Sequence, residues 1–193
     1  MARLFVALEL PAGFLDKVVG LRDRALPKPL QETMRPIPEE NLHLTLRFLG
    51  DTDEAAIEDL GTALAKAASN HGAIPVLLTG GGCFPHTRSP RVLWAGIEAP
   101  EGGLTELHRS VSDELARLGL PREDKPFHPH VTLGYLRKGV NLGEARRAAA
   151  ALTRFAESPV GAQTVLDTLA LKRSHLDRAG AVHTVLETIR LGS

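Results

Sequence analysis

Two stretches of the chain echo one another: His43-Leu44-Thr45-Leu46-Arg47-Phe48-Leu49-Gly50 in the first half and His130-Val131-Thr132-Leu133 in the second. Each alternates polar and apolar residues at period two, the pattern of a strand with one face on a core. Successive strand side chains point to opposite faces, so His43 and Thr45 share one face while Leu44 and Leu46 share the other. The second copy sorts in the same way. Each phrase then runs into a turn, a capping residue and a helical pattern, which predicts two similar lobes. If the lobes meet about a pseudo-twofold axis, the two His-x-Thr pairs converge on one cleft from opposite sides.

Outward from these phrases, Arg3 to Leu8 reads as a strand, and Phe14, Leu15, Val18, Val19 and Arg22 switch to helical spacing as far as about Leu26. Pro27, Pro29, Pro36 and Pro38 break that pattern and bracket a loop or edge segment around Met34 to Ile37. Asp51, Thr52 and Asp53 offer caps to a helix whose stripe is Ile57, Leu60, Leu64 and Ala67. Ile74 to Leu78 and Arg91 to Ile97 read as strands, joined by a Gly-, Pro- and Ser-rich loop. Within that stretch Gly80-Gly81-Gly82 lacks the Lys-Ser/Thr and the helix of a phosphate-binding P-loop. Leu104, Leu107, Val111, Leu115 and Leu118 form the clearest amphipathic stripe, closed by Gly119.

His130 to Leu136 is the next strand, and Asn141 with Glu144 resembles a capping box before an alanine-rich helix that ends near Phe155. Val165 to Arg173 and Val182 to Leu191 read as strands separated by Asp177, Arg178 and Gly180, as in a hairpin. Strands and helices are mixed without the strict alternation of a doubly wound parallel sheet. The expectation is an α+β fold, one bilobal domain over residues 1–193.

Composition excludes several classes of function. Twenty-three basic residues balance twenty-three acidic ones, so an extended duplex-binding surface is not expected and any nucleic-acid contact is local. Aromatic residues make up 4% of the chain, too few for a long single-strand stacking platform. The single cysteine, Cys83, allows neither an intrachain disulfide nor a multi-cysteine zinc site. No apolar run approaches the roughly 20 residues of a membrane span, and Met1-Ala2-Arg3 enters a strand-like run without the features of a secretory signal. A cytoplasmic location, no membrane association and a monomer are expected.

Two histidines held across a cleft suit a reaction that takes a proton from one oxygen and delivers one to another. With an ordinary pKa near 6.5, one can be neutral and the other charged near neutral pH. Thr45 and Thr132 are placed to donate hydroxyl hydrogen bonds to phosphate oxygens. A lone strand histidine is more often a structural residue at the core edge; it is the repeated context that favours chemistry here. His128 and His130 form a His-x-His pair able to grip a metal from one strand, but no cluster of carboxylates or cysteines completes such a site. His71, His86, His108 and His175 read as surface or loop residues, with His86 a further candidate for the cleft. Arg47, Arg88, Arg91, Lys125, Arg137, Lys172 and Arg173 read as solvated charges, and Trp94 as core.

The chain resembles the 2H phosphoesterase superfamily, and within it the RNA 2',3'-cyclic phosphodiesterases, historically called 2'-5' RNA ligases. The resemblance rests on four stretches. They are residues 3–11 (Arg3-Leu4-Phe5 through Pro11), 41–50 (Asn41-Leu42-His43 through Gly50), 90–96 (Pro90-Arg91-Val92 through Gly96) and 127–133 (Phe127-His128-Pro129-His130 through Leu133). It implies a bilobal α+β fold of two pseudo-symmetric lobes of largely antiparallel sheet, with flanking helices around a central cleft. It also implies an RNA terminus bearing a 2',3'-cyclic phosphate as substrate, for instance on a tRNA half, and a 2'-phosphate product, without metal or other cofactor. By similarity His43 is the proton donor to the 3' oxygen and His130 the base that activates water, with Thr45 and Thr132 on the phosphate. His128 and Arg137 are expected to line the cleft. The resemblance also implies reversible ligation through a 2'-5' linkage, with a ribose 5'-hydroxyl in place of water. The alternatives are a 2H activity on another cyclic phosphodiester, such as ADP-ribose cyclic phosphate, or an RNA-end-binding protein without catalysis. Two positions depart from relatives: Tyr135 stands where an arginine is often found, and His183 where the final strand tends to carry an aromatic.

Overall fold

The computed structural model describes residues 1–156, 161–177 and 180–192. In chain order the elements are β1 (Ala2–Leu8), α1 (Ala12–Ala25), the short α2 (Lys28–Gln31), β2 (Met34–Pro36), β3 (Leu44–Thr52), α3 (Ile57–Ala68), β4 (Ile74–Phe84) and β5 (Val92–Glu98). They continue with α4 (Gly103–Arg117), β6 (His130–Leu136), α5 (Leu142–Ala156), β7 (Gln163–Leu166), β8 (Thr168–Asp177) and β9 (Gly180–Arg190). The strands form a sheet in the order β7-β4-β5-β6-β3-β1-β8-β9, with β2 added to β6. Every pairing among the described strands is antiparallel, the α+β arrangement expected from the mixed element order.

The sheet has two halves because its middle is narrow. On one side β3 pairs with β1 through seven residue pairs, and on the other β6 pairs with β5 through five, but β3 and β6 touch at one pair, Leu44 with Val131. The helices close over the apolar face: α5 packs on β4 and β5 and against α1, while α3 packs against α4 and β9. Alternation supplies the core from both phrases, since Leu44, Leu46, Val131 and Leu133 are each at most 2% exposed. These join Leu4, Val6 and Leu8 of β1 and Leu93 of β5 in one apolar cluster with Leu60, Leu64, Leu104 and Leu152 from the helices.

The structure sharpens or changes the local expectations at several places. Met34–Pro36, open in the sequence between a loop and an edge segment, is an edge strand, because it pairs with Gly134, Tyr135 and Leu136 of β6. The Gly80-Gly81-Gly82 run is inside β4. A Cβ at Gly82 would lie 2.4 Å from the Trp94 ring, so glycine there is set by close strand-to-ring packing and not by a turn. The segment read as one strand from Val165 divides at Asp167, where the chain leaves β4, its β7 partner, and joins β1 as β8. Leu118 caps α4 and is exposed, so it does not extend that helix's buried stripe. Of the cap candidates, Asp53 accepts from the Ala55 amide and Asn141 from the Gly143 amide, while Asp51 and Thr52 are strand residues. Arg178, expected in the C-terminal hairpin, lies outside the described residues.

Candidate active site

The single Leu44–Val131 pair aligns the two phrases antiparallel around it. One residue to either side, the register sets His43 across from Thr132 and Thr45 across from His130, all on the face opposite the buried Leu44 and Val131. Directly opposed side chains lie about 4.5–5.5 Å apart at Cβ and diagonal ones about 7–8 Å. Carried one residue out from the Leu44–Val131 pair, the two histidines take diagonal positions. His43, Thr45 and Thr132 line a pocket of about 430 Å³ with Phe5, Asn41, Phe48, Tyr135 and His183. His130 is not among the residues lining this pocket; it is half-buried, with Phe84 against its ring at 4.9 Å between centroids.

Both lobes carry the same irregularity beside this pair. On one side Ala7 pairs with Thr45 and Val6 with Arg47, skipping Leu46; on the other Trp94 pairs with Thr132 and Leu93 with Gly134, skipping Leu133. Such a β-bulge adds one residue and re-phases the alternation beyond it. Arg47, which simple alternation places on the cleft face with His43 and Thr45, is therefore turned inward. It is 4% exposed, hydrogen-bonded to the Pro121 carbonyl and 3.6 Å from the Glu123 carboxylate. Phe48 and Tyr135, at corresponding positions past the two bulges, are turned outward, and both line the pocket.

The hydrogen bonds fix the ring tautomers. His43 Nδ1 lies 2.6 Å from the Asn41 carbonyl and His130 Nδ1 lies 2.6 Å from the His128 carbonyl. A carbonyl only accepts, so each Nδ1 carries the hydrogen and each neutral ring presents its Nε2 lone pair. For His43 that lone pair accepts from the Thr45 hydroxyl at 3.1 Å. The His43 imidazole is held down to about 3, chiefly by burial against an opposing pull from the Asn41 carbonyl, with the charges of Lys172, His183 and His130 adding to the lowering. His130 is also lowered by burial, and the His128 carbonyl opposes that shift.

The other expected site residues are distributed differently. His128 does not line the main pocket: its ring meets Trp94 edge-on at 4.8 Å, and both line a second hollow of about 270 Å³. Trp94 is thus half-buried at a surface hollow rather than in the core. Arg137 lines neither space, because its Nε donates to the Glu32 carbonyl and its backbone amide to Thr33, which ties it to the turn before β2. His86 is exposed in the loop after β4, where its ring accepts from the Ser89 amide. His108 is not a free surface residue; it stacks on Phe127 at 4.3 Å. Lys172 is 4% exposed and pairs with Glu9 at 2.7 Å beneath the site. Both departing positions are in the pocket: His183 meets His43 edge-on at 5.1 Å, and Tyr135 lies on the opposite side of the Leu44–Val131 pair from Phe48.

Asn41, Phe5, Phe48, Arg3 and Arg35 line the pocket without having been singled out from the sequence. For Asn41 a signal existed, since a residue two before each histidine supplies the carbonyl in both phrases. For Phe48 none did, because its facing depends on the bulge. Among the described residues no helix is long and apolar enough to cross a membrane, and no group of three or more histidine, cysteine or acidic residues gathers as a metal site.

A sequence model of the 2'-5' RNA ligase superfamily matches residues 19–178. The chain is 30% identical over 189 residues, 98% of each chain, to a Methanothermobacter thermautotrophicus protein named RNA 2',3'-cyclic phosphodiesterase. Its fold is similar to the crystal structure of TT0787 from Thermus thermophilus, with a TM-score of 0.79 at 29% identity over 98% of each chain. It is also similar to apo LigT from E. coli, with a TM-score of 0.71 at 25% identity over 100% of this chain and 98% of that one. With two His-x-Thr phrases joined at one strand pair, and with this breadth of similarity, the chain belongs to the 2'-5' RNA ligase superfamily, a branch of the 2H phosphoesterases.

Proposed function

We propose that this chain is an RNA 2',3'-cyclic phosphodiesterase that opens terminal 2',3'-cyclic phosphates to 2'-phosphates by general acid–base catalysis between His43 and His130. The observation that carries the reading is the Leu44–Val131 pair, which brings each histidine diagonal to the other and opposite the other's threonine on the cleft face. With its Nδ1 held by a carbonyl, neutral His130 offers Nε2 to a water molecule and takes its proton as the oxygen attacks phosphorus. The bond from phosphorus to the 3' oxygen breaks in line with that attack, and His43, charged in the bound state, delivers the Nε2 proton to the departing oxygen. The phosphate stays on the 2' oxygen. Thr45 and Thr132 hydroxyls hold non-bridging oxygens, the former exchanging its bond to His43 for one to the substrate. Each carbonyl behind an Nδ1 favours the charged ring and so supports the protonated form when it is needed.

The roles of the two rings are distinguished by the side from which they approach; with a ribose 5'-hydroxyl attacking phosphorus in place of water, the same P–O3' cleavage leaves a 2'-5' linkage, and attack of the 3'-hydroxyl on that linkage reverses it. The test is incubation with an oligoribonucleotide ending in 2',3'-cyclic phosphate, in excess EDTA, followed by identification of the phosphate isomer. A 2'-phosphate product is expected, and a 3'-phosphate or no turnover rejects the reading. His43→Ala and His130→Ala each slow turnover ~10²-fold or more; near-unchanged rates in either variant reject the pair.

A further inference from the structure

The pocket is charged asymmetrically: among its described lining residues there is no carboxylate, and its two permanent cations, Arg3 and Arg35, lie on different strands. Arg35 comes from the short edge strand β2, and it is the register partner of Tyr135. Its guanidinium lies 5.8 Å from the centre of the Tyr135 ring, a cation–π contact that directs it along β6. It is exposed and has no ion-pair partner among the described residues. The approach of β2 depends on Gly134, where a Cβ would fall 2.6 Å from the Arg35 carbonyl oxygen and 2.3 Å from the end of Met34. The bulge at Leu133 turns Tyr135, and with it this cation, onto the face that carries His130 and Thr132.

Position decides what Arg35 contacts. Tyr135 is three residues beyond Thr132, about 10 Å along the strand, and Arg35 is one strand further over. This is too far from the phosphorus between the histidines for a direct role in bond breaking, and it matches the next backbone position of a nucleotide chain. Arg3 lies on β1, where its register partner on β3 is Asp51, an opposing charge that Arg35 lacks.

The geometry points to Arg35, braced on Tyr135, as the residue that binds the phosphodiester joining the terminal nucleotide to the one before it, so that the enzyme selects RNA chains over mononucleotide 2',3'-cyclic phosphates. The inference rests on the function proposed above and adds the path taken by the strand. It is tested by kcat/KM for two substrates, a mononucleotide 2',3'-cyclic phosphate and an oligoribonucleotide with the same terminus, in wild type, Arg35→Gln, Arg35→Lys and Arg3→Gln. Arg35→Gln is expected to lower the oligonucleotide value about tenfold or more relative to the mononucleotide value, through KM, as loss of a charge-assisted hydrogen bond does. Arg35→Lys recovers part of the difference, and the salt dependence of the oligonucleotide reaction loses a slope of about 0.7 in Arg35→Gln. Arg3→Gln shifts both substrates together. Equal losses on both substrates in both Arg35 variants, no loss, or a selective loss in Arg3→Gln instead overturns the inference while leaving the catalytic reading intact. A wild type inactive on both substrates removes both readings.

Discussion

The state of His43 gives a quantitative test of the catalytic reading. With protein groups alone around it, burial holds this imidazole down to about 3. At pH 7 a group with that value is protonated in only about one molecule in 10⁴, which is useless for an acid that must donate a proton on every turnover. Substrate supplies what is missing. One negative charge on a phosphate oxygen about 4 Å from the ring, at the effective dielectric of a partly open site, favours the imidazolium by about 4 kcal/mol. That corresponds to about three pH units, which carries His43 to about 6, close to the range in which an acid works best at neutral pH. The perturbation is the addition of a nucleoside 2'-phosphate, and the assay is ¹⁵N NMR of the imidazole nitrogens across roughly pH 3 to 8, a window that spans both the lowered and the ordinary histidine range. The sign follows from the direction of the shift: His43 is neutral throughout this range in the free protein except at its acid end, its midpoint rises on binding, and binding near pH 6 takes up protons. Proton uptake is read independently by calorimetry in buffers of differing ionisation enthalpy. A free-protein midpoint within about a unit of the ordinary histidine value refutes the burial argument, and a bound-state midpoint that stays near 3 removes His43 as the acid.

Thr45→Val deletes the hydroxyl that His43 Nε2 accepts from at 3.1 Å. A neutral hydrogen bond is worth ~1 kcal/mol, so steady-state kinetics on a cyclic-phosphate oligonucleotide should show a loss of about fivefold or more, and unchanged constants reduce Thr45 to a strand former. Glu9→Gln leaves the Lys172 ammonium, 4% exposed, without its carboxylate. Glu9 is itself 32% exposed, so the loss is discounted from the cost of a fully buried pair to about 2 kcal/mol, and calorimetry should register a Tm lower by about 5 °C; a shift under about 2 °C contradicts the pairing. Gly134→Ala forces a methyl into backbone of β2, with an expected cost of about 1–3 kcal/mol in urea unfolding, whereas a neutral outcome means β2 is not held against β6.

Much of this architecture is written in short-range pattern. The alternation through Leu44, Thr45 and Leu46, and through Val131, Thr132 and Leu133, assigned each residue to core or cleft, and burial follows it as far as the bulges. The stripe of α4 was equally legible up to Leu115, where the helix turns toward its cap. The repetition of His-x-Thr indicated two lobes facing one cleft. Charge was less readable. Arg47 and Lys172 look like surface residues by type, and each is buried only because a carboxylate or carbonyl far along the chain meets it: Glu123 and Pro121 for the first, Glu9 for the second.

By itself, then, the amino-acid sequence determined the element types, the polar and apolar faces, and the two histidine–threonine phrases that mark the family. Tertiary structure alone decided which residues join them: Arg35 through the pairing of β2 with β6, Phe48 and Tyr135 through matched bulges, and His183 through the return of β9 beside β8, which itself pairs with β1. It also decided the depth of the His43 shift. The division has one physical cause. Periodicity and capping are set by neighbours within a few residues, whereas a bulge, a register and a desolvated charge are properties of two segments in contact, and no local pattern within either segment encodes its partner.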